Sequence, residues 1–145
     1  MKKAQFLAQL QQALSHAEWE ALEQNIRLPI SVFNREILLE MKDKPAVGDD
    51  EISIEQASGL YETLGVYLAE YMADQPEGWK YIILASLYLT FVAKRPMHPI
   101  DRLGISVTET KEETIYECPQ KSTLPKTACN YCVCKKKSYE NSLDK

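Results

Sequence analysis

Hydrophobic positions in the first two thirds of the chain recur at the spacing of an α-helix. Apolar side chains at positions 6, 7, 10 and 14 predict an amphipathic helix over Lys3–Ala17. The same spacing continues through Ile26, and Pro29 then ends or kinks the helix because proline has no amide hydrogen to donate. A second helix is predicted over Ser31–Lys42.

A polar linker, Asp43–Glu51, separates these helices from the next one. Ser53 is followed three residues later by Gln56, which is the spacing of a helix N-cap with a capping box. The helix that starts there is predicted to run to about Ala73. Its expected buried stripe consists of Leu60, Leu64, Tyr67, Leu68 and Tyr71.

The most apolar segment, Trp79–Val92, predicts the central helix of a bundle. It follows Pro76, a residue suited to a first helical turn, and is expected to end near Lys94. A helix with apolar residues on nearly every side is buried all round. Four tyrosines of this helix and the preceding one recur at helical spacing, and we expect them in the core and not in a ligand site: Tyr67, Tyr71, Tyr81 and Tyr88.

Beyond Arg95 the pattern changes to short, β-branched, alternating runs. Ile105–Glu109 and Thr114–Cys118 predict two strands joined by a charged turn. We expect a helical body over residues 1–95, a hairpin with a cysteine-containing segment over residues 96–137 of the same domain, and a polar tail over residues 138–145.

Composition adds little to this picture except in the distribution of charge. The 145 residues are 45% hydrophobic and 26% charged, as in an ordinary single globular domain. The net charge of −4 divides into −6 over residues 1–110 and +2 over residues 111–145. An acidic body does not favour nucleic-acid binding, although the basic run Lys135–Lys137 leaves an RNA-binding accessory role as an alternative.

No targeting segment or membrane span is predicted. The N-terminal stretch lacks a continuous apolar run, and the longest apolar segment is shorter than the roughly 20 residues that cross a bilayer. A cytoplasmic protein with reduced thiols is the expectation, and reduced thiols favour metal binding over disulfides.

All four cysteines lie within 17 residues, at the spacing C-x10-C-x2-C-x-C. Zinc takes four tetrahedral N/S ligands, and Cys-x2-Cys pairs such as Cys129 and Cys132 are typical of structural zinc sites. Cys118, followed by Pro119, resembles half of a zinc knuckle. Lys121 occupies the position where a full knuckle has its second cysteine.

The residues alone leave the fourth ligand open between His98 and Cys134. An iron–sulfur cluster held by four thiolates is an alternative, as are free thiols or a disulfide. The predicted fold is thus mainly α, a helical bundle of four to five helices with a small C-terminal β-hairpin and a zinc-binding loop.

The segments LYLTFVAKRPMHP, YECPQK and ACNYC resemble an uncharacterised archaeal family, domain of unknown function 2115, found mainly in methanogens. The resemblance covers about residues 81–134 and implies a shared ligand set of His98, Cys118, Cys129 and Cys132, with Cys134 as an extra thiol. The Gly-rich stretch typical of the family after the His-Pro step is reduced here to Gly104.

No nucleotide-binding, metalloprotease or serine-hydrolase motif is present. We therefore expect a small cytoplasmic binding or interaction module with one structural zinc per chain and a protein or small-molecule partner. The alternative is a metal-dependent hydrolase with an open zinc position, in which zinc-bound water would be the nucleophile.

Overall fold

The computed structural model describes residues 1–24, 28–45, 47–122, 124 and 127–136. The fold is mainly helical with a small three-stranded sheet near the C-terminus, as the sequence predicts. Six α-helices are described in order along the chain: α1 (Lys3–Gln12), α2 (His16–Glu23), α3 (Val32–Lys42), α4 (Ile54–Tyr71), α5 (Trp79–Leu87) and the single turn α6 (Ile100–Leu103).

The prediction of one continuous first helix is wrong. The helix α1 ends at Gln12, with Ala13 as its C-cap, and a separate helix, α2, begins at His16. Ser15 caps α2 by accepting a hydrogen bond from the Glu18 amide, and the Glu18 carboxylate accepts one from the Ser15 amide. This capping box makes a new helix start more favourable than continuation. Ile26 lies outside the described residues.

The starts of α3 and α4 follow their capping residues. Ser31 and Ser53 each accept a hydrogen bond from the amide three residues on, at the starts of α3 and α4. The apolar segment opens with a 3₁₀ turn, Pro76–Gly78, continues as α5 and ends as a π-helical stretch, Tyr88–Ala93. Lys94 terminates it with a left-handed backbone conformation, φ 57°.

The α5 segment is the centre of the bundle, packed against α3 and α4, and its π-helical extension packs against α1. Tyr88 and Leu89 are at most 1% exposed and lie in one continuous core. The prediction of four core tyrosines is half right. Tyr81 and Tyr88 are buried, whereas Tyr67 and Tyr71 are 53% and 65% exposed.

The sheet adds one strand to the predicted hairpin. Strands β1 (Ser106–Glu109) and β2 (Thr114–Cys118) pair antiparallel, and β3 (Lys135–Lys136) pairs parallel to β2. Lys137 and the polar tail 138–145 lie outside the described residues. Within the described chain, no helix combines the length and apolarity needed to cross a bilayer.

Candidate metal centre and adjoining groove

Three separate segments bring the predicted ligands to one end of the bundle. His98 lies at a bend in the non-helical stretch between the π-helical segment and α6, where the neighbouring Met97 is 7% exposed and anchors the stretch in the main core. Cys118 is the last residue of β2. Cys129 lies in the 3₁₀ turn Ala128–Asn130.

A small cavity of ≈ 20 Å³ lies where these segments meet. A cavity needs roughly 10–15 Å³ to hold one water molecule, so this one accepts a particle of that size. All five donors considered from the sequence line it, together with Pro96, Met97, Ile105 and Lys121: the donors are His98, Cys118, Cys129, Cys132 and Cys134.

The thiols are free, and two of them are deeply buried. Cys134 and Cys118 are 3% and 7% exposed and pack with Ile105 in a cluster separate from the main core. Burial, reinforced by hydrogen bonding to Cys132 and by the nearby Cys118, raises the pKa of Cys134 to about 12, while Lys121 opposes the shift. A bound cation would reverse this preference and hold the thiolates ionised.

Lys121 organises the cysteine segment in a way that the sequence did not suggest. Its ammonium donates hydrogen bonds to the backbone carbonyls of Cys132, at 3.3 Å, and of Cys134. The amide of Lys121 also donates to the Cys118 carbonyl at 3.3 Å, which closes a turn after the Cys-Pro step. The residue that replaces the second knuckle cysteine therefore positions the other cysteines. In the sequence, only the position of Lys121 three residues after Cys118 indicated a role for it in the cysteine segment.

His98 borders the cavity with one side open to solvent. The protein around its ring lowers the pKa of the imidazole by desolvation, which favours the neutral form. Neutral imidazole is the form that coordinates metals.

The donor set fits zinc in its chemistry, since it offers thiols and an imidazole around a space of atomic size. In the part of the chain that the structure describes, no group of three or more His, Cys, Asp or Glu side chains is already arranged to hold a metal ion. Metal binding would therefore require side-chain movement within the cavity wall. The zinc and its ligand set stay predictions.

A much larger groove of ≈ 1060 Å³ adjoins this cavity, and His98 and Cys129 line both. Its walls come from α3 and α4, and part of its floor comes from Ile82 and Ser86 of α5. The segments 97–99 and 127–129, which also contribute to the small cavity, form one end.

Tyr67 and Tyr71 belong to this groove instead of to the core. Their ring centroids are 4.8 Å apart and both rings line the groove with Val66. The helical spacing of the tyrosines suggested one buried face. The core, however, takes Leu60, Leu64 and Leu68, and the tyrosines lie beside that stripe.

The model of a family described as uncharacterized proteins conserved in archaea, DUF2115, matches residues 1–137. The chain belongs to this family. The match confirms the resemblance inferred from the C-terminal motifs and extends it over the helical body, where the sequence offered only a general helical similarity. No curated protein and no solved structure matches the chain.

Proposed function

We propose that this DUF2115 member is a binding module in which one structural zinc ion fixes an end wall of the large groove. The observation that carries the proposal is the convergence of His98 and all four cysteines on one small cavity that shares two of its lining residues with the groove. A zinc held there would join the segment after the central helix, the end of β2 and the 3₁₀ turn.

The proposed ligands are His98, Cys118, Cys129 and Cys132, with Cys134 as the alternative fourth ligand. Five donors compete for the four positions of a tetrahedral site. Desolvation already favours the neutral imidazole of His98 by lowering its pKa, and neutral imidazole is the form that coordinates metals, which supports His98. The low exposure of Cys134 works in the other direction, since it places the sulfur well inside the cavity wall.

Zinc in this position would supply the folding free energy that the small cysteine cluster lacks. Only Ile105, Cys118 and Cys134 are buried in it among the described residues. In small cysteine-rich units the free energy of metal binding also stabilises the folded state, because a preformed site rarely exists in the unfolded chain. The groove wall at residues 127–129 would then depend on the metal.

Elemental analysis and cobalt substitution test the proposal. We expect one zinc per chain and, after exchange, the absorption of tetrahedral thiolate-bound Co²⁺. Loss of a group that only hydrogen-bonds to a metal ligand typically weakens metal binding about 10–100-fold, so His98→Ala should weaken it by at least that factor. Cys134→Ser should weaken it much less. A metal-free protein, or visible iron–sulfur absorbance, would overturn the zinc assignment. A larger loss in Cys134→Ser would replace His98 by Cys134.

A metal-dependent hydrolase is the second candidate, because the groove reaches the metal cavity through His98 and Cys129. Zinc lowers the pKa of a bound water to near 7, provided that one coordination position is open. Cobalt spectra distinguish the two functions. A four-coordinate spectrum that is unchanged between pH 6 and 9 supports a closed structural site, and a spectrum that titrates in that range supports bound water.

A further inference from the structure

The large groove contains two carboxylates that have no partner among the described residues. Glu36 lies on α3 and Glu70 on α4, and neither takes part in a hydrogen bond or an ion pair there. Some carboxylates elsewhere on the bundle are paired with cations, as Glu18 is with Lys80 and Glu40 with Arg95, whereas Glu62 on the outer side of α4 is unpaired among the described residues. The two walls of the groove thus leave negative charge available to a ligand.

The same walls carry an unusual exposed apolar and aromatic surface. Tyr67 and Tyr71 form their ring pair next to Glu70 along α4. Val32 and Val66 are both 71% exposed and also line the groove. Aromatic faces attract cations electrostatically, most strongly where water is displaced, and quaternary ammonium ligands are recognised in this way.

A hydroxyl at the base of the groove provides an independent indication of a ligand. Ser86 of α5 lines the groove and is only 7% exposed, yet its hydroxyl has no hydrogen-bond partner among the residues that the structure describes. This hydroxyl is not among the fully buried unpaired side-chain atoms of the described residues, so it is accessible from the groove. The base of the groove therefore offers a hydroxyl to whatever occupies it.

Among the described residues that line the groove, the one arginine follows closely in sequence on the segment 97–99 at the metal-side end. Arg102 is on α6, four residues after His98. The 3₁₀ turn that forms this end packs on α4 near Gly59, above which the Tyr131 ring lies. Glu70 is eleven residues farther along the same helix, or about 16 Å at 1.5 Å per residue. The carboxylate and tyrosine end is thus separated from the proposed metal.

We propose that the groove binds a small organic cation with an apolar body, placed between Glu36 and Glu70 and against the Tyr67–Tyr71 pair. The proposal deepens the binding-module function and rests on it. A volume of ≈ 1060 Å³ is just above the usual range for small-molecule sites and leaves room for a flexible chain attached to the cation.

Two fluorescent probes of opposite charge test the charge preference. Thioflavin T, an aromatic cation, should bind the zinc-loaded protein more tightly than the aromatic anion 8-anilinonaphthalene-1-sulfonate. Glu70→Gln and Glu36→Gln should each raise the Kd for the cation about two- to fivefold, the effect of one partly exposed charge pair, and leave or improve anion binding. Tyr71→Leu should raise the Kd for the cation by a similar factor.

Matched controls lie on the same helix outside the groove. Glu62→Gln and Tyr61→Leu remove an exposed carboxylate and an exposed tyrosine of α4 without touching the groove lining, and should leave both Kd values unchanged. Equal losses in the groove variants and their controls, or tighter binding of the anion, would overturn the proposal. So would absence of small-molecule binding together with saturable binding of a protein partner.

Zinc content measured on the same samples separates this proposal from the function on which it rests. Correct zinc loading with no preference for the cation defeats the cation site alone. A metal-free protein that still selects the cation through Glu70 defeats the structural zinc and leaves the cation site standing.

Discussion

The helical body and the C-terminal cysteine region differ in what holds them together. The body has a continuous core in which Leu22, Leu38, Leu60 and Tyr88 are all 0% exposed. The buried part of the cysteine cluster comprises Ile105, Cys118 and Cys134 among the described residues. Each large side chain contributes roughly 1.5–3 kcal/mol on full burial, so the body is stable through apolar packing. The cysteine region buries far fewer side chains among the described residues, which is why we propose that zinc stabilises it.

Metal removal should produce the largest effect and test the comparison directly. With chelator, amide protection should fall over residues 105–122 and 127–136 and stay unchanged in α1, α3, α4 and α5, because under the proposed function only the cysteine region would rely on the metal. Hydrogen exchange measured by mass spectrometry would show this. Loss of protection throughout the chain would mean that the two regions form one cooperative unit.

Core truncations in the two regions should have different consequences. Leu38→Ala removes a fully buried side chain of the body and should lower the free energy of unfolding by about 2–5 kcal/mol, with zinc affinity unaffected. Ile105→Ala should chiefly speed metal loss and leave the unfolding of the body close to wild type. Denaturant unfolding and zinc release in parallel measure both. Similar unfolding losses in the two variants would contradict a divided core.

Two glycines of α4 sharpen the comparison at the contact between the regions. A Cβ added at Gly59 would lie 2.9 Å from Cζ of Tyr131, whereas one added at Gly65 would meet nothing within 4 Å. Gly65→Ala should therefore stabilise the protein by about 0.4–1 kcal/mol through the unfolded state. Gly59→Ala should lose that gain by displacing Tyr131. Thermal unfolding compares them, and equal gains would show that Tyr131 does not hold the cysteine region against α4.

The smallest expected effect concerns Glu40, which ties α3 to the end of the central segment. It accepts hydrogen bonds from Tyr88 at 2.5 Å and from Arg95 at 2.8 and 2.9 Å. Burial raises the pKa of Glu40, but these hydrogen bonds outweigh burial and the net shift is downward. The stabilisation is therefore present above pH 4.5, the ordinary value, and is lost as the pH falls through the lower folded value.

Because Glu40 is 38% exposed, solvent screening limits this contribution to under about 1 kcal/mol. Glu40→Gln should lower the free energy of unfolding by that amount at pH 7 and by progressively less below pH 4.5. Glu36→Gln on the same helix is the matched control. A Glu40→Gln deficit that persists undiminished at pH 3 would show that packing, not charge, dominates there.

Local signals predicted much of the fold. Ser31 and Ser53 mark helix starts because their hydroxyls accept hydrogen bonds from amides that the helix leaves unpaired, and this requires no distant contact. The alternating runs before and after the charged turn likewise predict β1 and β2. The break before α2 was missed although Ser15 and Glu18 have capping-box spacing, because the apolar spacing across the break still fits one continuous helix.

The chain by itself determined which residues carry candidate chemistry: one histidine after the central helix and four clustered cysteines, in an archaeal family that its motifs identify. Only the tertiary structure decided how these residues are grouped. The parallel pairing of β3 with β2 places the Cys134 segment beside Cys118, and Lys121 holds it there.

The groove was beyond prediction for the same physical reason. Whether Tyr67 and Tyr71 are buried depends on which of two adjacent stripes of α4 the core occupies, and the packing of α5 against α3 and α4 makes that choice. The helical periodicity of a sequence shows which residues share a face of the helix. Which face is buried depends on the neighbouring helices. Their packing also brings Glu36, Glu70 and Ser86 to one groove from three different helices.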